Sequence, residues 1–581
     1  MTRARVLLTG AVCGLAAWPT ALVAQVQGGA VSPVGPGTVP GGASPVPTNA
    51  DPTQPGTAPG TTSGDTTRPD RPRARLTPYV EVGQLLSADL NRGDVVTYTT
   101  LAAGVNAAVS TARAEGQISY RYEHRIGWSD EAGSGDVHSG LARGSYRVTR
   151  ELSIDGGALA TRSRADIRGA APGVLVGDIG NISQIYSAYI GPSLVTQAGP
   201  VQIAANYRLG YTRVDTPGVG GLAPGVPRLD YFSDSVNQLA TFSATARPGA
   251  VAPVGLSFNA AYDRDDAGQL AQRYEGWFVR GDVLKPISPY VALTAGVGYE
   301  RIQTSQRDAE LDAAGRPLVD SRGRFLTDPD GPRRIAYRTE GVYYDAGVIW
   351  RPNRRTSVEG HVGERYGSLS VTGLARYQAS RDVMIQAAVY DGIQTFGRQL
   401  RNGLSNLPTN FIETRDAFGQ QFNGCTFSAT GTTPGGCLND VLQSVQTSVY
   451  RARGIDATIA LSRGRSTLGF GIGYANRRLF APDQAPGLIV YGAEDDSYYA
   501  QIFFGHALSR NSGLNVNGFV NYYASRLAGS EDVVSLGTTA SYYRNFGRLG
   551  TTASVGLYHF TVGDLTNALA AQALIAARYQ F

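Results

Sequence analysis

Residues 569–581 read LAAQALIAARYQF. Every second side chain of that run, Leu569, Ala571, Ala573, Ile575, Ala577, Tyr579 and Phe581, falls on one apolar face, the periodicity of an extended strand whose two faces meet different surroundings. The same alternation recurs far upstream. Ile118, Tyr120, Tyr122, Ile126 and Trp128 oppose Ser119, Arg121, Glu123 and Arg125. Val201, Ile203, Ala205, Tyr207, Leu209 and Tyr211 oppose Gln202, Asn206, Arg208 and Thr212. Val342, Tyr344, Ala346, Val348 and Trp350 oppose Asp345, Gly347 and Arg351, with Tyr343 and Ile349 blurring the second face. A soluble β-sandwich alternates too, so the period alone leaves open which face meets water. Aromatic placement points to an apolar exterior: Tyr79, Trp128, Tyr211, Tyr299, Trp350, Tyr377 and Tyr522 cluster near strand ends, as interfacial girdles require.

Connectivity sharpens the reading, because barrels that cross a membrane alternate short turns on one side with longer loops on the other. Short turns fall at 149–151, 198–200, 285–289, 351–355, 379–381, 463–465, 510–512 and 545–547, and longer excursions run over 164–181, 215–235, 305–338 and 401–444. Counting the alternating segments predicts a single all-β, antiparallel transmembrane barrel of about 22 strands (about 18 to 24), with short periplasmic turns and long extracellular loops. Ahead of it, Thr2-Arg3-Ala4-Arg5, an apolar run over 6–17 and Leu22-Val23-Ala24 have the order of a secretory signal peptide, 1–24. Cys13 follows Gly10-Ala11-Val12, a poor lipobox. Residues 25–75 are almost wholly Gly, Pro, Thr, Ser, Ala and Val and cannot bury enough apolar surface to order themselves, which predicts a disordered periplasmic linker. It reads either as a tether or as an arm toward a periplasmic partner. The barrel then occupies 76–581.

Composition excludes several classes of function. The formal charge of +5 is dispersed along 581 residues, unlike the clustered basic footprint of a nucleic-acid binder. No internal stretch approaches the roughly 20 apolar residues of a spanning helix. His124, His138, His361, His506 and His559 are scattered without metal-ligand spacing and are expected to face outward or line the lumen. The glycines of Gly469-Phe470-Gly471-Ile472-Gly473 recur at period two inside a strand, which favours small lumen-facing positions over a phosphate loop. Asp328-Pro329-Asp330-Gly331 offers two carboxylates to a Ca²⁺ site, yet the full ligand series is missing and a plain turn is favoured. Neither catalytic residues nor cofactor or metal ligands are expected. Cys425 and Cys437, close together in a Gly/Thr/Asn-rich stretch of an exported chain, are candidates for a disulfide.

An outwardly apolar last strand ending in Tyr579-Gln580-Phe581 resembles the signal read by the bacterial barrel-assembly machinery. Together with Thr77-Pro78-Tyr79-Val80-Glu81 and the run from Glu115 to Glu123, it resembles the β-barrel porin type 2 group of proteobacterial outer-membrane proteins, over everything after the linker. The resemblance implies a barrel amid outer-membrane lipid and lipopolysaccharide more firmly than any substrate. Members are held to be porins, and some relatives go with exopolysaccharide systems. On this register the inward face carries Arg121, Glu123, Arg125, Arg208, Glu300, Asp345, Arg351, Glu359, His361, Arg365, Arg376, Asp456 and Arg578. Those mixed signs predict either a hydrated lumen of at most weak anion preference, or charges that pair across strands and merely keep it polar. The leading expectation is a channel for hydrophilic solutes, narrowed by 305–338 and 401–444. Its rivals are a partner-dependent export channel and a surface barrel plugged by its own loops. A TonB-dependent transporter fits poorly, since its plug is a folded domain ahead of the barrel, where this sequence carries only the linker.

Overall fold

Strands with one apolar and one polar face satisfy their backbone in lipid only by pairing on both edges, and only a closed sheet leaves no edge. The computed structural model shows such a sheet. It describes residues 74–581 except 129–134, 167–180, 217–229, 416–417, 419–421, 429–435, 439–444, 446–448, 484–492, 527–529 and 565. The expected signal peptide with Cys13, and all but the last two residues of the linker, lie outside the described residues. Twenty-two strands form one antiparallel ring. Each pairs with its neighbour along the chain, from Ala74–Asp89 against Val95–Ser110 onward, and Thr566–Gln580 returns to the first strand from Tyr79↔Gln580 to Asp89↔Ala570. The first strand starts at Ala74, two residues earlier than expected, because Ala74 and Arg75 already pair with Val109 and Ala108.

All eight predicted turns lie at one end of the ring, which we call the turn end, and the four long connections, 165–181, 216–233, 307–333 and 395–448, lie at the loop end. Not every loop-end connection is long: Thr356–Arg365 and Ser368–Gln378 are joined by Tyr366-Gly367 alone, with φ of 55° and 68°. Two consecutive positive φ values make the tight hairpin whose twist matches the strands.

The two faces separate as alternation requires. Val82, Ile118, Val297, Val342, Val348, Ile455 and Ile575 project outward and exposed, while Ser87, Ser119, Thr212, Asn237 and Gln572 point inward and are buried. Exposed rings form two belts: Tyr290, Trp350, Tyr377, Phe546 and Tyr579 at the turn end, Trp128, Tyr211, Trp277, Tyr299 and Tyr498 at the loop end. Tyr79 is a correction. It shares parity with Thr77 and Glu81 rather than with Val80 and Val82, so it faces inward, its ring 4.1 Å from the Arg578 guanidinium.

Connection 307–333 folds on its own side chains. Asp312, Asp320 and Asp328, eight residues apart, each accept two backbone N–H groups from the next turn: Ala314 and Arg316, Arg322 and Arg324, Asp330 and Gly331. This is the local turn chemistry that aspartate favours.

Candidate functional site

Inward positions on tilted strands become a lumen wall, and the wall here is ionic. The burial alternation of their strands places Arg121, Glu123, Arg125, Arg208, Glu300, Asp345, Glu359, His361, Arg365, Arg376 and Asp456 on the inner side. They form small mixed clusters rather than a ring of one sign. Arg121 lies between Glu123 and Glu81, the latter 2.8 Å away, while Arg125 reaches Glu123 at 2.5 Å and Arg578 reaches Glu81 at 2.7 Å. His361 has a carboxylate oxygen 3.1 Å from each ring nitrogen, Asp345 on one side and Glu359 on the other. Arg280 joins that cluster by donating to Asp345 at 2.8 Å and to Asp282 at 2.6 Å. Glu300 pairs with Arg365 at 2.6 Å, over the Tyr343 ring. Asp456 accepts the Tyr499 hydroxyl at 2.7 Å, Arg376 donates to Gln386 at 3.2 Å, and Arg351 donates to Ser357 near the turn end. Charges in low dielectric need partners, and these find them both two residues along the same strand, as at Glu123 and Glu359, and across strands, as at Glu81, Asp345 and Glu300. Glu81, Arg280 and Asp282 escaped the sequence reading although the same parity count reaches them.

What fills the lumen comes from connection 395–448. Its first part is a helix, α1 (Phe396–Asn406), begun by Thr395, whose hydroxyl accepts the Arg398 N–H. Phe396, Leu400 and Leu404 repeat every four residues and, with Leu407, make one apolar stripe. That stripe packs on Leu141, Leu159, Ile185 and Val214. These wall residues belong to strands eight to eleven places round the ring from the strand Val383–Gln394 that leads into the helix, so α1 crosses the interior.

Polar contacts fix it there. Asp263 and Asp265 project inward from Gly255–Ala267, and their register neighbours on the wall, Leu239 and Gly276, Asn237 and Tyr274, carry no countercharge. The helix brings it: Arg398 meets Asp263 at 2.7 Å, Arg401 meets it at 3.2 Å, and Thr395 donates to Asp265. Gly397 lets the helix backbone come this close, since a Cβ there would run into the Ser235 hydroxyl. At the far end Arg143 donates to the carbonyls of Leu407 and Ser405 at 3.1 and 3.0 Å, satisfying acceptors at the helix C-terminus, and Arg208 donates to the Ser405 hydroxyl at 3.2 Å.

Beyond the helix, Phe411–Arg415, Phe422–Ser428 and Gly436–Cys437 form a three-stranded sheet. Gln117 on the wall bonds both the N–H and the C=O of Phe411, and Phe418 packs against Tyr558. Cys425 is disulfide-bonded, and the strand register sets it opposite Cys437. The contacts of connection 307–333 with Asp215, Asp230 and Leu270 gather at the loop end, and Tyr337, at the start of the strand that follows, packs on Tyr274, Phe278 and Ile302. Tyr579 and Phe581 lie on the outer face, their rings 5.2 Å apart.

No family model matches the chain, and no curated protein matches it. Among solved structures it is similar to the FrpB iron transporter from Neisseria meningitidis, at 10% identity and a TM-score of 0.40 over 87% of this chain and 82% of that one. It is also similar to the ferric-catecholate import receptor Fiu from E. coli K12, at 9% identity and 0.41 over 87% and 82%, and to the siderophore receptor PirA from Acinetobacter baumannii, at 10% and 0.38 over 87% and 80%.

Proposed function

We propose that this chain is an outer-membrane barrel channel for hydrophilic solutes, held shut by its own connection 395–448. The observation that carries the reading is α1, pinned across a polar-walled lumen by the contacts of Arg398 and Arg401 with Asp263. The apolar, aromatic-belted exterior suits lipid, and a ring of 22 strands is wide enough to need filling. An ionic wall is what passing water and hydrophilic solutes require, and the plug hangs from the loop end by its two strands. Conductance in planar bilayers tests the proposal. A variant with 396–448 replaced by a short Gly/Ser link should give large, steady steps, and the intact chain should be mostly closed with rare openings. A variant that inserts, folds and stays silent would overturn the channel.

A second reading, a surface barrel permanently filled by its own loop, is favoured by Phe418, which lies in an apolar cluster with Leu85, Tyr98, Tyr523 and Tyr558. On that reading the shortened variant conducts and the intact chain never opens at any voltage.

A further inference from the structure

At the loop end, two guanidiniums on the outer side share one carboxylate, and two more arginines lie beside them. Arg264 and Arg273 share parity with the half-buried Tyr262 and the exposed Trp277 and hold Asp266 between them, at 2.5 and 2.6 Å. Arg307 and Arg333 come to the same place from the two roots of connection 307–333. The Arg307 N–H donates to the carbonyl of Leu270 at 2.8 Å, and the Arg333 guanidinium donates to that of Ala271 at 2.6 Å. Partial burial and the neighbouring charges of Arg273 and Arg307 hold the Arg333 pKa below the usual arginine value. Two of the four thus rest on neutral carbonyls, Arg307 through Pro329 and Arg333 through Ala271, with no carboxylate of their own in these contacts. Of the acids nearby, Glu275 lies opposite Arg264 and accepts the Trp277 indole N–H at 3.2 Å, while Asp328 and Asp330 flank the Pro329 carbonyl that Arg307 holds. Arg273 and Arg333 keep guanidinium N–H groups that these contacts do not use, and each adds to the positive charge felt by the other. Directly below, Tyr262 and Trp277 pack with centroids 4.3 Å apart and ring planes tilted by 46°, at the level where rings meet the lipid interface.

Like charges crowded at a lipid boundary are stabilised by an anion from the lipid side, and guanidinium forks match phosphate oxygens in pairs. We infer that Arg264, Arg273, Arg307 and Arg333 form a site for the phosphate of an outer-leaflet glycolipid headgroup, with Tyr262 and Trp277 against the lipid below it. A free phosphate shares that chemistry but gains nothing from the two rings. The inference rests on the lipid-facing reading of the exterior, so vesicle insertion is scored separately by flotation, and failure to insert is distinguishable from failure to bind.

The test is native mass spectrometry of the full chain from detergent, titrated with lipid A, with a zwitterionic phosphatidylcholine, and with inorganic phosphate. Lipid A should be retained and phosphatidylcholine not. R273A/R333A should weaken retention about fivefold for each arginine removed, about twenty-five-fold together. R526A, an outward arginine held by Glu494 on another arc of the same end, should change nothing. If the alanine pair does not insert, R273K/R333K, which keeps the charge and loses the fork, should show an intermediate loss. Unchanged lipid A binding in an inserted variant overturns the site. Displacement of lipid A by equimolar inorganic phosphate overturns the headgroup assignment.

Discussion

The strand Val291–Gln306 and the segment 395–448 border one lumen in one chain, yet their environments are set in different ways. In the strand, parity decides everything: Val297 and Tyr299 face out, Glu300 and Ile302 face in, and a one-residue slip would exchange them all. In the segment, each side chain answers to a partner far away in sequence. Arg398 meets a carboxylate 135 residues before it, Phe411 a glutamine 294 residues before it, and Phe418 a tyrosine near the end of the chain. A wall is a repeating local rule, and a plug is a set of separate long-range agreements, so damage to the two should spread differently.

The largest effect is expected where the plug relies on the wall for charge. Asp263→Ala leaves Arg398 and Arg401 buried without their carboxylate, which typically costs about 3–5 kcal/mol. Amide exchange over 396–412 should speed up by several orders of magnitude while the barrel strands keep their protection. Loss of protection in both at once would show that wall and plug are one cooperative unit. Protection unchanged in both would remove Asp263 from the account. Replacing the three charged residues together, as D263L/R398M/R401L, should restore much of the loss, since well-packed apolar substitutes often match a buried ionic group.

The wall is tested next, on its outer face. Ala295 is exposed on the outer face midway between the Tyr290 and Tyr299 rings of the two belts. Ala295→Arg should destabilise the inserted barrel by about 2–4 kcal/mol in vesicles, read from urea unfolding, because a lipid-facing arginine at the bilayer midplane costs that much. A neutral result would contradict the lipid-facing exterior, whatever the plug does.

That contrast also explains what could be read from the sequence. Period-two alternation is a property of each strand alone, so the barrel, its two ends, the strand number and the inner positions of Arg121, Glu123, Asp345 and His361 follow from counting. Tyr79 was misplaced because an aromatic near a strand end was given to the girdle without checking its parity with Glu81. α1 was missed because FGRQLRNGLSN carries two glycines and reads as loop. The signals were a Thr395 cap and the spacing of Phe396, Leu400 and Leu404. Asp263 and Asp265 were legible in another way: two inward acids on one strand, with no cation opposite, ask for one from elsewhere. Which cation answers depends on how a connection of more than fifty residues folds back, and no local rule fixes that.

A smaller effect is expected where wall side chains interlock. At Gly473 a Cβ would run into the Tyr499 ring and the Asp456 carboxylate, which are hydrogen-bonded to each other. Gly473→Ala should cost about 1–3 kcal/mol as the pair is forced apart. The loss should appear in unfolding of the barrel and leave exchange over 396–412 unchanged. Gly464, in a turn with open space around it and φ of 60°, gives the comparison, since alanine there meets no neighbour and only backbone strain.

The most local effect lies outside the membrane, where loop-end connections lock to one another as the plug locks to the wall. Asp230 is buried, accepting the N–H of Phe325 at 3.0 Å, the side-chain amide of Gln269 at 2.7 Å and its neighbour Tyr231 N–H at 3.0 Å. It thereby ties 216–233 to 307–333. Burial pushes its carboxyl up to about 7, against the pull of those donors and of Arg324. A raised pKa means that the folded junction prefers the protonated acid. Its contribution is therefore fully present below the ordinary carboxylate range and is lost as pH rises toward 7. Exchange protection of the Phe325 and Tyr231 amides, corrected for intrinsic rates, should fall from pH 4 to pH 7 by at most about tenfold per unit and then level off. Asp230→Asn keeps an acceptor for Phe325 and cannot ionise, so its protection should be flat with pH and exceed that of the parent chain at pH 8. A parent junction with equal protection at pH 4 and pH 8 would mean that the carboxylate is charged throughout, and that the loop end, unlike the plug, tolerates a buried anion without a guanidinium bonded to it.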